Sequence, residues 1–113
     1  MTSEPPGPLS ASRLLSADLH AEIVEPDGGS EALSTASHAL LEAAFEVGVW
    51  EAGPGTDTDL EVDELFLVLS GEGTVTFQDG SSVDLRAGVL VRLREGDRTT
   101  WSITRRLRKL YLI

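Results

Sequence analysis

The chain lacks cysteine altogether, is poor in aromatic residues at 5%, and has no long uninterrupted apolar run. The absence of cysteine excludes disulfides, thiolate metal sites and cysteine nucleophiles. No apolar run approaches the about 18 residues that cross a bilayer, and residues 1–10 lack the basic and apolar regions of a signal peptide. We therefore predict a cytoplasmic protein without a membrane partner.

Basic residues are also scarce. Nineteen acidic side chains stand against nine basic ones, which gives a formal net charge of −10. Such a charge repels phosphate backbones, so we predict that the protein does not bind nucleic acid. The basic residues are densest at 105–109, Arg-Arg-Leu-Arg-Lys. This segment is either an anion-binding patch or, as we favour, a strand whose basic groups lie beside acidic strands.

The length and composition are typical of one globular domain. The chain has 113 residues, of which 41% are hydrophobic and 25% are charged, enough for a single core. Three prolines and a glycine within residues 5–8 disfavour regular structure. We therefore expect residues 1–8 to form a flexible arm and residues 9–113 to form one domain, with its core over about residues 46–113.

Short β-prone runs dominate the second half of the sequence and are separated by turn residues. Asp79-Gly80 between two such runs predicts a hairpin with a type I′ turn, and further turns are expected at 70–73, 87–88 and 95–97. No helix is long enough to connect parallel strands, so the sequence predicts an antiparallel sandwich or barrel. The predicted strands cover 64–69, 74–78, 83–85, 89–93, 98–103 and 107–113.

The N-terminal third gives weaker signals. Alternation of apolar and polar residues over 14–24 predicts a half-buried strand, and the segment 26–29 predicts a turn. Residues 34–44 combine helix-forming and strand-forming residues, and we favour a strand from about His38 onward.

The strand at 64–69 is apolar on both faces. Leu65, Leu67 and Leu69 line one face, whereas Phe66 and Val68 line the other. Both faces need to be covered. A second copy of the chain in a two-fold homodimer would cover the outer one; the alternative is that residues 9–25 cover it within one chain.

From Gly48 onward the sequence resembles the cupin superfamily. The resemblance is greatest to the small single-domain branch related to the cupin domain of (S)-ureidoglycine aminohydrolase. It is carried by GVWEAGPG at 48–55, DELFLVLSG at 63–71, the segment 87–101 and RKLYLI at 108–113. The resemblance implies an all-β antiparallel jelly-roll barrel with a binding pocket inside.

The histidines of the family's two motifs are missing. Glu64 and Gly71 match the end of the first motif, whereas Asp57 and Asp59 occupy its two histidine positions. Thr99 occupies the histidine position of the second motif. The manganese chemistry of the related aminohydrolase therefore does not carry over.

The residues at these positions offer only oxygen ligands. Oxygen ligands favour a hard cation such as calcium or magnesium, held weakly unless the geometry is good. We predict no cofactor, and keep a divalent cation on Asp57, Asp59 and Glu64 as the weaker alternative. For both aspartates we favour a position on a solvated loop, with the side chains pointing into water.

Glu64 is the candidate catalytic residue. It shares the parity of Phe66 and Val68 and would face the barrel mouth, where a carboxylate could act as general acid or base. Its structural alternative is an ion pair with an arginine; the candidates are Arg92, Arg94 and Arg98. The resemblance further implies a ligand pocket lined by Trp50, Phe66, Thr99, Trp101 and Tyr111, although these residues also suit an ordinary core.

Three classes of function remain open. We favour a protein that binds a small molecule in the barrel, without the family's histidine metal site and with a regulatory or non-catalytic role. The enzyme alternative is a lyase, isomerase or amidohydrolase acting on a small polar metabolite through Glu64. The third class is an interaction protein whose barrel is plugged by side chains and whose leucine face contacts another subunit.

Overall fold

A computed structural model describes residues 8–113 as a β-rich domain with one short helix, α1 (Pro8–Ala11). Residues 1–7 of the predicted arm lie outside the described residues. Within residues 8–113 no helix is long and apolar enough to cross a membrane. The strands are β1 (Glu25–Pro26), β2 (Ala36–Glu42), β3 (Glu46–Ala52), β4 (Gly55–Leu60), β5 (Glu64–Phe77), β6 (Ser82–Leu85), β7 (Leu90–Leu93) and β8 (Arg98–Leu112).

Two long strands organise the sheet. The hydrogen-bonded order is β1-β2-β3-β8-β5-β6, with β4 beside β8 and β7 beside β5. β8 pairs with β4 through its first half and with β3 through its second half, and β5 pairs with it along both halves. All pairs are antiparallel. The predicted antiparallel jelly-roll barrel is confirmed.

The predicted turn at 70–73 is wrong, because β5 continues through it. The register between β5 and β8 shifts repeatedly between Val68 and Gly73, which bends the strand without ending it. Gly71 has a φ of +93°, and a Cβ there would lie 2.2 Å from the backbone oxygen of Arg106. Glycine therefore permits a bend here rather than a turn. The two strands predicted at 98–103 and 107–113 likewise belong to the single strand β8.

The predicted hairpin at Asp79-Gly80 is confirmed, but its turn type is not. Gly80 has a φ of +88°, whereas Asp79 does not adopt the positive φ that a type I′ turn requires. The amide of Gly80 donates to the carbonyl of Phe77 at 2.9 Å, and that of Phe77 donates to Ser81 at 2.8 Å. This is the pattern of a type I turn followed by a glycine bulge.

The strand predicted over residues 14–24 is wrong, because this segment consists of turns and irregular chain. Leu14, Leu15 and Ile23 are exposed there, so its alternation does not bury an apolar face. The segment is nevertheless attached to the barrel, since Arg108 donates to the carbonyl oxygen of Leu19 at 2.8 Å. The strand favoured from His38 onward is present and begins at Ala36.

The basic segment 105–109 lies on β8 beside acidic strands, as the favoured interpretation has it. Arg106 and Arg108 each contact a carboxylate oxygen of Glu51 at 2.6 Å. Arg105 lies 3.9 Å from Glu72, and both of these side chains are mostly exposed. The arginines therefore tie β8 to β3 and β5.

The inward parity predicted for β5 is confirmed. Phe66 and Val68 are each 1% exposed, whereas Leu65 on the opposite face is 44% exposed. The apolar core is formed by inward residues of several strands together with Leu33, which precedes β2. Its buried members include Ala52, Phe66, Val68, Val75, Leu85, Val91, Leu93, Trp101, Ile103 and Leu107.

Candidate functional site

A cavity of about 310 Å³ is lined by residues of β2, β3, β4, β5 and β8, of the loop that precedes β2 and of the connection between β4 and β5. Its wall is unusually rich in charge for the inside of a small barrel. Five carboxylates and one ammonium line it: Glu46, Asp57, Asp59, Glu61, Glu64 and Lys109.

Lys109 and Glu64 form a buried ion pair in this wall. The Nζ atom of Lys109 lies 2.6 Å from Oε2 of Glu64, and the two side chains are only 6% and 9% exposed. Both side chains face inward. Lys109 is paired across the sheet with Val68, which is buried and lies on the same side of β5 as Glu64. Glu64 is thus paired with this lysine, and none of the three arginines predicted for that role contacts it.

Three aromatic rings surround the same ammonium group. Its nitrogen lies 4.5 Å from the ring centroid of Trp50, 4.4 Å from that of Phe66 and 5.0 Å from that of Trp101. The rings also pack on one another, with centroids 5.6 Å apart for Trp50 and Trp101. Such ring faces attract a cation, so the lysine is held both by Glu64 and by the aromatic wall.

Glu61 is a second buried carboxylate and is 7% exposed. Its Oε2 accepts hydrogen bonds from Oγ1 of Thr99 at 2.6 Å and from Nε1 of Trp101 at 3.0 Å. Burial raises the pKa of the Glu61 carboxyl, while these two hydrogen bonds act in the opposite direction. The side chain is therefore a buried carboxyl at the cavity whose pKa lies above its ordinary value because of its burial.

Tyr111 reaches the cavity because the residue beside it is a glycine. Gly48 pairs with Tyr111 across the sheet, and a Cβ at Gly48 would lie 2.4 Å from the phenol oxygen. The phenol donates a short hydrogen bond to Glu46. Burial and the nearby Glu46 carboxylate raise the pKa of Tyr111, so the phenol keeps its proton and acts as a donor.

Asp57 and Asp59 lie on the strand β4 rather than on the loop that we expected, but Asp57 is only partly buried and Asp59 is exposed to solvent. They pair with Trp101 and Thr99 of β8, whose side chains are buried, so both aspartates occupy the inner face. Asp57 accepts a hydrogen bond from the hydroxyl of Ser30 at 2.5 Å. That bond, together with one from the backbone of Thr58, lowers the pKa of Asp57.

Most of the predicted pocket residues lie at this cavity. Trp50, Trp101, Tyr111 and Glu64 line it, as do Asp57 and Asp59. Phe66 lies behind the ammonium of Lys109 and is almost fully buried. Thr99 does not line the cavity itself but donates a hydrogen bond to Glu61, which does.

The carboxylates do not fit a metal ion in this arrangement. Among residues 8–113, no group of three or more histidine, cysteine, aspartate or glutamate side chains is positioned to hold one. Glu64 is occupied by Lys109, and Asp57 by Ser30. The cation site suggested for Asp57, Asp59 and Glu64 therefore lacks support from the side-chain geometry.

Two of the most buried polar residues were missed from the sequence. Lys109 alternates with Leu107 and Tyr111, both buried, so the period of the strand carried a signal for its inward position. For Glu61 the sequence has no periodic signal, because this residue lies in the connection between β4 and β5. Its position follows from two backbone hydrogen bonds, from its amide to Asp97 at 2.8 Å and from the amide of Gly96 to its carbonyl at 3.0 Å.

Comparison with known proteins identifies the family and the fold of the chain. The family model described as the EutQ-like cupin domain matches residues 41–111. No curated protein matches the chain.

Several solved structures share the fold. The EutQ protein of Clostridium difficile is 22% identical, with a TM-score of 0.71 over 86% of this chain and 83% of that one. The ethanolamine utilization protein EutQ of Salmonella typhimurium is 20% identical, with a TM-score of 0.69 over 79% of this chain and 76% of its own. An ectoine synthase from P. lautus is 17% identical, with a TM-score of 0.64 over 74% and 64% of the two chains.

Proposed function

The chain belongs to the EutQ-like cupin domain family, and on this basis we propose that it binds a small organic molecule in the barrel cavity without a resident metal ion. The observation that carries the proposal is the cavity wall itself. It combines two tryptophan rings, which can contact the apolar part of a ligand, with polar and charged groups that can fix its orientation. The finer resemblance to the cupin domain of (S)-ureidoglycine aminohydrolase stays a prediction within this family.

The wall is preorganised for a ligand. Its buried polar groups already have partners, since the part of the chain that the structure describes has no buried side-chain nitrogen or oxygen without one. Fixed partners hold Glu64, Lys109 and Glu61 in place before a ligand arrives, which lowers the ordering cost of binding. The volume of about 310 Å³ lies at the lower end of the range for ligand pockets, so we propose a metabolite-sized ligand.

A ligand screen tests this proposal. Chelator-treated protein is mixed with a library of small metabolites, and binding is followed by thermal shift and by tryptophan fluorescence. Both tryptophans of the chain line the cavity, so their emission reports on this site. We expect at least one metabolite to bind with one-to-one stoichiometry; a library that gives no binding, or binding that needs added metal, contradicts the proposal.

A matched pair of variants localises the binding. Ser37→Phe places a large ring in the cavity, which Ser37 lines, and we expect it to abolish binding. Ser82→Phe makes the same change at an exposed position of β6 and serves as the control. Equal binding by the two variants would place the ligand elsewhere.

An acid–base enzyme is the second candidate, and one observation favours it. Glu61 is a buried carboxyl with a raised pKa at the wall of the cavity, which suits a general acid or base. In this version Glu61 takes the role predicted for Glu64, because Glu64 is held by Lys109. Turnover of a metabolite found in the screen, lost in Glu61→Gln, would establish the enzyme.

We also propose that a second copy of the chain covers the outer face of β5, β7 and β8. Leu65, Leu90 and Leu112 are 44%, 68% and 41% exposed on these neighbouring strands. Exposed apolar side chains in such a cluster are typical of subunit contacts. Sedimentation should give a dimer for the native chain and a monomer for Leu65→Glu with Leu90→Glu; a native monomer contradicts this part of the proposal.

A further inference from the structure

The cavity wall already binds one alkylammonium group, that of its own Lys109. The nitrogen is held by Glu64 at 2.6 Å and by the faces of Trp50 and Trp101. The ion pair therefore involves one of the five carboxylates of the wall, Glu64, and the one cationic side chain, Lys109, among the lining residues that the structure describes. The pair shows that a carboxylate and indole ring faces in this cavity can hold an ammonium group, without any contribution from the other acidic residues of the wall.

The other carboxylates of the wall have no cationic partner. Within residues 8–113, the four ion pairs use Glu51, Glu64 and Glu72, and none involves Asp57, Asp59 or Glu61. Their hydrogen-bond donors are neutral: a serine hydroxyl and backbone amides for the aspartates, and a threonine hydroxyl and an indole for Glu61. Neutral donors position a carboxylate without neutralising its charge, so Asp57 and Asp59 can still accept a cationic group, whereas burial favours the protonated form of Glu61.

Asp57 and Asp59 lie on the same face of β4, two residues apart, which corresponds to about 6.6 Å along a strand. They stand opposite Trp101 and Thr99 across the strand pair. A positive group between them and the indole would contact charge on one side and a ring face on the other. The negative potential of the wall also repels anions and concentrates cations.

We propose that the ligand of this cavity is a small organic cation, with an ammonium group held by Asp57 and Asp59 and an apolar body against Trp50 and Trp101. A divalent metal ion fits less well, because the carboxylates do not converge on one point. The proposal rests on the proposed function, since it names the chemical class of the molecule that the cavity binds.

Three probes of equal carbon length test the charge preference. Butylammonium, 1-butanol and butyrate are each titrated into the native protein, and tryptophan fluorescence is recorded at low and high salt. We expect butylammonium to bind about tenfold or more tightly than either analogue, a difference of about 1.4 kcal/mol, and to weaken as salt screens the aspartates. Equal or tighter binding of butyrate or butanol overturns the inference.

Isosteric variants test the residues. Asp57→Asn with Asp59→Asn removes both charges but little volume, and we expect butylammonium binding to fall about tenfold. Asp84→Asn removes an exposed charge from β6 and should leave binding unchanged. An unchanged affinity in the double variant overturns the assignment.

Other outcomes separate this inference from the proposed function. Neutral or anionic hits from the metabolite screen, blocked by Ser37→Phe, overturn the organic-cation class and leave the binding function intact. Micromolar binding of Mg²⁺ or Ca²⁺ that is lost in the double variant also overturns it. If none of the three probes binds, the inference is overturned. The proposed binding function is contradicted as well only if no molecule of the metabolite screen binds.

Discussion

The barrel interior has two regions that share the strands β5 and β8 but differ in chemistry. Away from the cavity, β5 contributes Val75 and β8 contributes Ile103, and neither is more than 3% exposed. At the cavity, the same two strands contribute Glu64 and Lys109, which are nearly as buried. The apolar region is held together by packing, whereas the cavity wall depends on pairing charge with charge and with aromatic rings.

This difference shows where a small barrel can place charge. A buried charge is costly unless it is paired and hydrogen-bonded, and a small core has little stability to offset that cost. Here the charges border open space that a ligand can enter; Glu64 and Lys109 form an ion pair, and the other carboxylates accept hydrogen bonds from neutral groups. We therefore expect the two regions to respond differently to truncation and to changes of charge and pH.

Truncation of Lys109 should have the largest effect. Lys109→Ala leaves Glu64 buried without its partner, and we expect the free energy of unfolding to fall by about 4 kcal/mol. Leu93→Ala in the apolar region, at a residue that is fully buried, should cost about 3 kcal/mol through the cavity that it creates. Urea denaturation of both variants measures these losses.

A second substitution distinguishes the two causes. Lys109→Met keeps most of the side-chain volume but, like Lys109→Ala, leaves Glu64 without its partner. Adding Glu64→Gln to Lys109→Met removes both charges, and most of the lost free energy of unfolding should return, because a buried ion pair adds little over well-packed neutral residues. Adding Glu64→Gln to Leu93→Ala should recover nothing, since the lost packing remains. If Glu64→Gln fails to improve Lys109→Met, the pairing account of the wall is wrong.

Adding one methyl group at Gly48 should have an intermediate effect. A Cβ there would lie 2.4 Å from the phenol oxygen of Tyr111 and 2.7 Å from the backbone oxygen of His38, so Gly48→Ala should cost about 2 kcal/mol by overpacking. It should also displace Tyr111 and change the emission of Trp50. Urea denaturation and fluorescence spectra measure the two effects.

Gly88 offers a matched glycine away from the cavity. Its surroundings have room for a Cβ, but its φ is +94°, so Gly88→Ala should cost about 1 kcal/mol through backbone strain alone. Tryptophan emission should not change. Equal spectra for the two alanine variants would show that Gly48 does not make room for Tyr111.

Much of this architecture could be predicted from the sequence. The alternation around Phe66 placed Glu64 inward, and the resemblance to the cupin motif offered Asp57 and Asp59 as neighbours of Glu64, although a solvated loop was the favoured expectation for these two residues. The continuity of β5 and β8 could not be predicted, because glycine and polar residues mark a bulge and a turn alike.

The partners of the charged groups were harder to predict. The sequence contains three arginines close to Glu64 in the expected sheet, whereas its partner Lys109 lies on a strand 45 residues later. Glu61 faces inward because loop hydrogen bonds fix its backbone, and no periodic pattern extends into that loop. Such pairings depend on the tertiary structure, so they cannot be predicted from the residues that surround each group in the sequence.

The smallest expected effect is the dependence of stability on the protonation of Glu61. Because its pKa is raised in the folded state by burial, the folded chain binds more protons than the unfolded chain between the ordinary glutamate pKa, about 4.3, and the raised value. This group therefore contributes a loss of stability as pH rises through that interval.

Glu61→Gln keeps an oxygen that accepts from Thr99 and Trp101 but cannot ionise, so it should lose less stability over the same interval. Urea denaturation of both proteins at pH 4 to 8 measures the difference, and Leu93→Ala should follow the native pH profile because the apolar region contains no titrating group. A steeper pH dependence in Glu61→Gln than in the native protein would show that Glu61 is ionised and stabilised in the wall, and the contrast between the two regions would then rest on Lys109 and Glu64 alone.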